Sequence, residues 1–535
     1  MSLIDALYLD PAPFHIWVTL RGDGQRGSGT ISDPYDGHVD SLGASKFDAV
    51  MNLPQVTAGN IVVHLGPGVY ITKGYSDASP AVGWSARAGM TIVGSGIDVT
   101  TLQVSGVDGG GHWYGVGHPL GVGNQVDGFR ISDLTIDCGY VTSPVSTAFG
   151  AVRVMGSFAR IQRVRAKNWG TNLSTTKAYV FSLITAVPDA GPPGLEAVNV
   201  GMDDCIATDP GPSVAGSTIT VLNVGGPSSP TVVKELHAKS PYIRNCYVDC
   251  KVGTPSGSGL YHGISMGWCR GGVVEGNQIY NTDVAGPYLD DRSVRDIIVR
   301  NNFFKNVAKG PWFNLGQIPT SLGSGINISQ TNNLLTFTVG SIGTLSIGDR
   351  VRLVALPPAN TGVYQIVDLP GASVIVVRSP LSAPTSITSV SKVMSVSRAV
   401  IEGNVIELAP NVSGRGIVLD DNNSGGAIAE PPDFIHGEII IRNNKIRYVD
   451  GVAPTGVTDV MIQANGAKNL MVNNNVLDTA NPLPDQNSRC GNVTYFNNRS
   501  PSGTLYQGWN VDTSRRYGEL ESQADDAFVL AFAER

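Results

Sequence analysis

The sequence has little charge. Asp, Glu, Lys and Arg make up 15% of its 535 residues, whereas an average soluble domain has about 25%. The net charge is −7, and no block of Lys or Arg occurs along the chain. A nucleic-acid-binding protein needs a basic surface that neutralises phosphates. This class of function is therefore excluded, and we expect no nucleic-acid partner.

Long apolar runs and a cysteine framework are also lacking. No stretch is long and apolar enough for a transmembrane helix, and the first residues, MSLIDALYLDPAPFHIW, lack the basic and apolar regions of a signal peptide. These features predict no membrane partner and no Sec-type export. The six cysteines form no C-x-x-C pair and are too few for a disulfide framework in this length of chain. We expect them to be buried, with no metal site and no cofactor.

What the sequence does have is a repeat built around asparagine. The pattern recurs in VEGNQI (274–279), VRNNFF (299–304), IEGNVI (401–406), IRNNKI (441–446) and VNNNVL (472–477). Its asparagines are 25, 40 and 31 residues apart, except for one interval of 102 residues. A strand-like, turn-rich unit of this length predicts one coil of a parallel β-helix. The asparagines then have a structural role, because they tolerate left-handed backbone and can hydrogen-bond from coil to coil.

Four N-terminal segments point to a known family: GDG (22–24), FDAVMNL (47–53), NIVVHLGPGVYIT (60–72) and GMTIVGSGIDVTTL (89–102). They are similar to the entry of the right-handed parallel β-helices of the pectate-lyase superfamily. This group includes polysaccharide lyases, polygalacturonase-like hydrolases and phage tailspikes. The resemblance implies an all-β solenoid in which a short helix covers the first coil.

One coil is predicted to carry an insertion, which accounts for the 102-residue interval. Its segments LTFTV (335–339), DRVRLVAL (349–356), VYQIVDL (363–369) and SVIVVRS (373–379) alternate with Gly/Pro turns, as in a small antiparallel barrel or sandwich. This unit could pack against a neighbouring subunit or bind a glycan. The chain end has helix-forming composition and is expected to cap the stack, with an exposed docking helix as the alternative.

The predicted organisation has five parts. They are an N-terminal entry and capping segment (1–60), a first part of the β-helix (61–322), the inserted small β domain (323–396), a second part of the β-helix (397–510) and a C-terminal cap helix (511–535).

Three strands can be aligned by counting from the motif asparagines: GPYLDD (286–291), GPWFNL (310–315) and GIVLDD (416–421), with GLYHGI (259–264) placed one coil earlier. Neighbouring strands lie about 4.8 Å apart, and alternate residues face opposite sides. With the middle Leu or Phe of each segment in the core, two columns lie on one outer face. The aromatic column holds Tyr261, Tyr288 and Trp312, and the polar column holds Asp290, Asn314 and Asp420.

Such a face suits a polysaccharide, because aromatic rings stack on sugars and polar groups bond to hydroxyls. Hydrolysis needs two carboxyl groups, about 5–5.5 Å apart for retention and about 6.5–9.5 Å for inversion. Asp290 and Asp420 are expected two coils apart, roughly 10 Å on the strand spacing, which favours inversion. Asp291 and Asp421 could reach the same groove. The predicted substrate-binding residues are Tyr261, His262, Tyr288, Arg292, Trp312 and Asn314.

Structural alternatives stay open for these residues. An Asp at a strand end is commonly a turn residue bonded to its own backbone; His262 can be a structural side chain and Trp312 a subunit contact. Polygalacturonase-like enzymes carry an NTD triplet and a DD pair about one coil apart. Here the triplet ends at Asp283, only seven residues before Asp290, so the residue types match without that geometry.

The sequence therefore predicts a protein that binds a surface polysaccharide and, if it is an enzyme, an inverting two-carboxylate glycoside hydrolase. The resemblance to phage tailspikes implies a virion-associated or extracellular homotrimer. One rival is a non-catalytic structural spike or adhesin. The other is a lyase or epimerase acting on uronates, which would need calcium-binding acids and a Lys or Arg base.

Overall fold

Parallel pairing between successive coils dominates the strands. The structure, a computed structural model, describes residues 13–77, 83–106, 110–120, 124–140, 147–172, 177–184, 186–187, 195–211, 217–225, 238–251, 261–290, 294–314, 320–340, 345, 347, 350–357, 362–378, 383–393, 396–410, 414–420, 436–451, 460–478, 485–488, 490, 492–506 and 510–511. Each coil gives one strand to each of three sheets, and a strand pairs in parallel with its equivalent in the next coil, as Leu289 does with Phe313. The predicted parallel β-helix is confirmed.

The three sheets run along the length of the helix. The first sheet contains Phe14–Thr19, Ile61–Leu65, Thr91–Val93, Arg130–Asp137, Arg160–Lys167, Gly201–Asp203, Tyr242–Arg244, Gly272–Glu275, Val294–Arg300, Val396–Glu402, His436–Arg442, Ala467–Asn473 and Asn492–Phe496. The second contains Gly68–Thr72, Thr100–Val104, the ends of Arg130–Asp137 and Arg160–Lys167, and Ile206–Ala207, Tyr247–Asp249, Gln278–Val284, Phe303–Lys309, Val405–Leu408, Lys445–Tyr448 and Val476–Leu477. The third contains Gly111–Gly117, Thr147–Met155, Lys177–Ile184, Thr218–Gly225, Tyr261–Met266, Tyr288–Asp290, Trp312–Asn314, Arg415–Asp420, Val460–Asn465, Asp485–Ser488 and Asn510–Val511. Shorter strands are Tyr35–Asp36, Tyr75–Ser76, Gly170–Thr171, Ala186–Val187, Leu195–Glu196, Ala238–Lys239 and Cys269–Arg270.

A short helix covers the first coils, as the N-terminal segments predict. The helix Lys46–Met51 begins after Ser45, whose hydroxyl accepts a hydrogen bond from the Asp48 N–H and so satisfies one free donor of the first turn. Phe47 is fully buried and lies 5.7 Å from the Tyr70 ring. The helix Pro54–Thr57 and the 3-10 turn Val449–Gly451 are the other helical elements of the described residues. None of these helices could span a membrane.

The motif asparagines form a continuous hydrogen-bonded row, here called the asparagine ladder, at the turn between the first and second sheets. From Asn277 to Asn475, each Nδ2 donates to the Oδ1 of the next asparagine and to a backbone carbonyl. From Asn302 onward, each Oδ1 also accepts the preceding asparagine's N–H; between Asn302 and Asn404 the side-chain bond is 2.9 Å. Every member is at most 1% exposed. The ladder consists of Asn277, Asn302, Asn404, Asn444, Asn475 and Asn498.

The coil-to-coil bonding predicted for the asparagines is confirmed, but the left-handed backbone belongs to a different residue. It is adopted by the residue just before each ladder asparagine, as in Asn301 (φ 55°) and Gly403 (φ 64°). Glycine and asparagine are the residues that tolerate this conformation best. One coil before the ladder, Cys246 takes the same position and its N–H donates to Asn277 Oδ1. All six cysteines are free and buried, as expected.

The insertion is a closed antiparallel barrel with its own core, as predicted. Its strands are Thr320–Thr331, Leu334–Thr338, Arg350–Leu356, Gly362–Gly371, Val374–Arg378 and Ser386–Val393. The first and last strands pair with each other, Thr320 with Lys392. The β-helix continues across the insertion without a break, since Val299 before it pairs with Ile401 after it. The proposed C-terminal cap helix lies outside the described residues, and the five domain boundaries stay predictions.

Candidate functional site

The register of the third sheet aligns the segments singled out in the sequence. Tyr288 pairs with Trp312 and Trp312 with Val418. In the same strands Asp290 pairs with Asn314 and Asn314 with Asp420. Between these two rows run Leu289, Phe313 and Leu419, which are fully buried in the core. Since alternate strand residues face opposite sides, both rows occupy positions on the outer face, as the spacing predicts.

The structure describes the positions of the polar row along the backbone. Asp290, Asn314 and Asp420 end three successive strands at one equivalent position. Two steps of strand spacing separate Asp290 from Asp420, roughly 10 Å along the sheet. The predicted residues Asp291, Arg292 and Asp421 lie outside the described residues.

Two aromatic residues, here called the aromatic pair, lie beside the polar row. The rings of Tyr288 and Trp312 are 5.1 Å apart and inclined by 52°, and both residues are half-buried. Trp312 Nε1 is buried and has no hydrogen-bond partner among the described residues. A buried indole N–H normally has a partner. This donor is therefore a point at which a ligand's acceptor could bind.

His262 joins the aromatic pair, whereas Tyr261 does not. The His262 ring is 4.2 Å from the Tyr288 ring. Tyr261 is 4% exposed, packs in the core against Trp169, and its N–H donates to Asp283 Oδ2 at 3.0 Å. The prediction that Tyr261 precedes Tyr288 in the aromatic column is wrong.

The cause of this error is the alignment of GLYHGI with GPYLDD, which is four residues out of register. Ser265 is the residue paired with Tyr288, while His262 pairs with Val284. Residues 263–264 therefore face the three residues 285–287 of the next coil, so one extra residue shifts the register. The similarity of GLYHGI to GPYLDD points to Tyr261 as the partner of Tyr288, four residues before the true partner Ser265.

Two basic residues were missed by the sequence reasoning and are here called the basic pair. Lys309, the last residue of a second-sheet strand, pairs with Arg415, the first residue of the third-sheet strand in the next coil. The Lys309 ammonium lies 3.4 Å from the centre of the Trp312 ring, a contact in which the cation interacts with the ring face. The segments KGPW and RGIV place both residues three positions before the aligned Trp312 and Val418. That shared offset is the signal that could have identified them.

The NTD triplet is part of the sheet rather than of an open groove. Asn281 is the left-handed turn residue (φ 58°), and Thr282 is fully buried. Asp283 belongs to the strand Gln278–Val284 and is 4% exposed. The triplet therefore supports the fold of this coil. Among the described residues no group of three or more His, Cys, Asp or Glu side chains could hold a metal ion.

Comparisons with known proteins give structural similarity alone. No family model and no curated protein matches the chain. The A-module of the mannuronan C-5 epimerase AlgE6 from Azotobacter vinelandii is similar at 11% identity and a TM-score of 0.44, over 89% of this chain and 94% of that one. The adhesin PfbA of Streptococcus pneumoniae is similar at 12% identity and a TM-score of 0.43, over 94% of this chain and 99% of that one.

A third similar structure is a tailspike protein mutant of E. coli bacteriophage HK620 in complex with a pentasaccharide. Its identity is 10% and its TM-score 0.47, over 89% of this chain and 79% of that one. At such values the function has to be argued from the residues of the chain itself.

Proposed function

We propose that the outer face of the third sheet around the aromatic pair binds a polysaccharide and hydrolyses it. The observation that carries this proposal is the register, which repeats polar residues at one position of three successive strands and places two aromatic residues beside them. Aromatic rings contribute flat apolar surface to sugar rings, and carboxylates and amides bind sugar hydroxyls. The buried Nε1 of Trp312 would donate to a sugar oxygen.

In this proposal Asp290 and Asp420 carry the chemistry. One carboxyl group protonates the glycosidic oxygen, and the other activates a water molecule on the opposite face of the sugar. Their strand positions are separated by roughly 10 Å along the sheet, and inverting enzymes hold their two carboxyl groups about 6.5–9.5 Å apart. Side chains inclined towards each other would close this difference. Asp291 and Asp421 are the neighbouring candidates for the same roles, and Asn314 and Arg292 would hold the sugar.

A second candidate function is a uronate lyase or epimerase, favoured by the basic pair. Lys309 and Arg415 are paired on adjacent coils, each three positions before the aligned Trp312 and Val418, which supplies the repeated basic residue that the sequence columns lacked. In a lyase one of the two would neutralise the uronate carboxylate or remove the adjacent proton.

The experiment incubates the full chain with bacterial capsular, lipopolysaccharide and plant uronate polymers. New reducing ends and the absorbance of unsaturated uronates are followed together. Asp290→Asn and Asp420→Asn, singly and combined, are compared with Asp296→Asn, which changes a carboxylate of the first sheet that pairs with Arg398. We expect new reducing ends without unsaturated products. This activity should be abolished in Asp290→Asn, Asp420→Asn and their combination, and kept in Asp296→Asn.

Other outcomes decide between the rivals. Unsaturated products that persist in the Asp variants and disappear in Lys309→Gln would establish the lyase and refute the hydrolase. Binding without any product would make the face the receptor site of a non-catalytic adhesin. A virion-associated or extracellular homotrimer is our proposal for the biological setting, and light scattering that finds a strict monomer would contradict it.

A further inference from the structure

A second group of polar side chains lies on the third sheet, nearer the N-terminus. The strand Tyr75–Ser76 runs antiparallel to Gly111–Gly117, with Tyr75 opposite Tyr114. This arrangement brings the next residue, Asp77, opposite His112, whose carbonyl accepts the Asp77 N–H at 3.1 Å. Asp77, His112 and Arg153 together are here called the Asp77 cluster.

Asp77 fixes the orientation and the tautomer of His112. Asp77 Oδ1 accepts the His112 N–H, and Asp77 Oδ2 accepts the His112 Nδ1–H, both at 2.9 Å. A carboxylate can only accept, so Nδ1 carries the proton and Nε2 of the neutral ring is an acceptor. No described residue bonds to Nε2. The imidazole therefore presents a fixed, unused acceptor.

Arg153 contributes the opposite property, unused donors. Its Nη1 donates to Asp77 Oδ2 at 3.2 Å, and its guanidinium carbon lies 5.5 Å from the centre of the Tyr114 ring. Its Nε is buried and has no hydrogen-bond partner among the described residues. A guanidinium offers five N–H donors in a planar fork that matches a carboxylate.

The Asp77 cluster differs from the ion pairs elsewhere on the helix surface. On the first sheet, pairs such as Arg300 with Glu275 and Arg442 with Glu402 join neighbouring coils. Here a histidine and an arginine bond to one carboxylate, and the Arg153 side chain is 18% exposed against 40% for Arg300. Burial alone would raise the pKa of Asp77, but the hydrogen bonds from His112 and the nearby Arg153 charge hold it below its usual value. The carboxylate therefore stays charged.

The register connects this cluster to the aromatic pair. Arg153 pairs with Ser182, Ser182 with Asn223, Asn223 with Ser265, and Ser265 with Tyr288. Arg153 and Tyr288 therefore belong to one outward-facing row and are four coils apart, roughly 19 Å. The two sites lie on the same face but share no residue.

We propose that the Asp77 cluster is a separate binding site for an acidic sugar, a ligand that carries a carboxylate close to hydroxyl groups. The guanidinium of Arg153 holds the carboxylate through its unused donors, and Nε2 of His112 accepts a sugar hydroxyl. Both functional groups are required, so the site discriminates against neutral sugars and against simple oxyanions. The proposal does not depend on hydrolysis or binding at the aromatic pair.

The test is saturation-transfer difference NMR with the full chain and D-glucuronate. D-glucose, which lacks the carboxylate, and sodium sulfate, which lacks the hydroxyls, are the comparison ligands; glucose is observed directly and sulfate as a competitor. We expect a glucuronate signal that glucose does not reproduce and that equimolar sulfate displaces weakly. Arg153→Gln and His112→Gln should each reduce the signal at least fivefold.

Two further variants separate this site from the others. Arg398→Gln changes a first-sheet arginine paired with Asp296 and should leave the signal unchanged, whereas Trp312→Ala reports whether glucuronate binds at the aromatic pair instead. A signal kept in Arg153→Gln, an equal signal from glucose, or a signal lost in Trp312→Ala but not in Arg153→Gln would overturn the proposal. Arg153→Lys, which keeps the charge and loses the fork, should give an intermediate signal and serves if Arg153→Gln does not fold.

Discussion

Two buried asparagines of this helix have opposite surroundings. Asn404, in the asparagine ladder, donates to Val299 O and Asn444 Oδ1, and its own Oδ1 accepts two bonds from Asn302. Asn223, on the outer face of the third sheet, is 1% exposed and donates to Ser182 Oγ, but its Oδ1 has no partner among the described residues. The Asn404 side chain uses both its amide and its carbonyl oxygen in hydrogen bonds, whereas Asn223 leaves its Oδ1 acceptor unused.

This difference extends to the neighbours of each asparagine. The ladder repeats one residue type with one bonding pattern, whereas the third sheet carries Trp312, Gln463 and Arg153, each with a buried polar atom that has no partner among the described residues. An unsatisfied buried group costs about 1–3 kcal/mol. Such a cost is common where a protein binds a ligand, so this difference agrees with the binding face that we propose on the third sheet.

The largest expected effect comes from removing one member of the ladder. Asn404→Ala deletes the four hydrogen bonds that its side chain makes to the Asn302 N–H, the Asn302 amide, Val299 O and Asn444 Oδ1, although the Asn302 amide keeps its bond to Val274 O. At about 1–3 kcal/mol for each group, we expect the free energy of unfolding to fall by about 5 kcal/mol. The matched variant Asn223→Ala deletes one bond and an unpaired acceptor, and should cost about 1 kcal/mol or less. Equal losses in chemical denaturation would remove the distinction between the two regions.

A second prediction contrasts neighbours on one strand. Phe313 is fully buried, so Phe313→Ala should destabilise the protein by about 3–5 kcal/mol. Trp312 is half-buried on the outer face, and Trp312→Ala should lower the polysaccharide affinity at least about tenfold, equivalent to about 1.4 kcal/mol. Its effect on unfolding should be the smaller of the two. Thermal unfolding and glycan titration of both variants measure these two effects. A larger loss of stability in Trp312→Ala than in Phe313→Ala, with unchanged glycan affinity, would show that Trp312 has a structural role.

Acid should affect the two regions differently. The pKa of Asp77 is lowered in the folded state, so its stabilising contribution is complete above the unfolded value of about 3.9 and is lost as the pH falls through the folded value. The difference in unfolding midpoint between the natural protein and Asp77→Asn should therefore shrink as the pH is lowered below about 4. The ladder carries no charge, so the loss of stability caused by Asn404→Ala should be the same above and below a pH of about 4. A pH-independent Asp77→Asn effect would contradict the assigned shift.

The smallest effect is expected outside both regions. Glu275 accepts from Arg300 at 2.8 Å on the exposed surface of the first sheet, where both side chains are partly solvated. Exposed ion pairs contribute about 0–1 kcal/mol, so Glu275→Gln should change the free energy of unfolding by less than about 1 kcal/mol. This variant gives the baseline against which the other changes are judged. A loss of unfolding free energy as large as that of Asn404→Ala would show that the surface ion pairs stabilise the fold as much as the ladder does.

The sequence was informative where one coil repeats the next. The asparagine spacing predicted the coils, and the equal positions of Leu289, Phe313 and Leu419 predicted the register of the polar row. It failed at Tyr261, because the similarity of GLYHGI to GPYLDD favoured an alignment four residues away from the true pairing of Ser265 with Tyr288. It also missed the Asp77 cluster, whose members are 35 and 76 residues apart and meet through an antiparallel strand that belongs to no repeat.

The pairing of the first and last barrel strands with each other has a consequence for chain entropy. Asn302 and Asn404 are bonded although 102 residues separate them, against 25 residues for Asn277 and Asn302. Closing a flexible loop four times as long would cost about 1.2 kcal/mol more. Because Thr320 pairs with Lys392, the folded barrel returns the chain to the place where it left. The next coil is then closed by two short linkers, and a unit of this kind can be accommodated between two coils at almost no entropic cost.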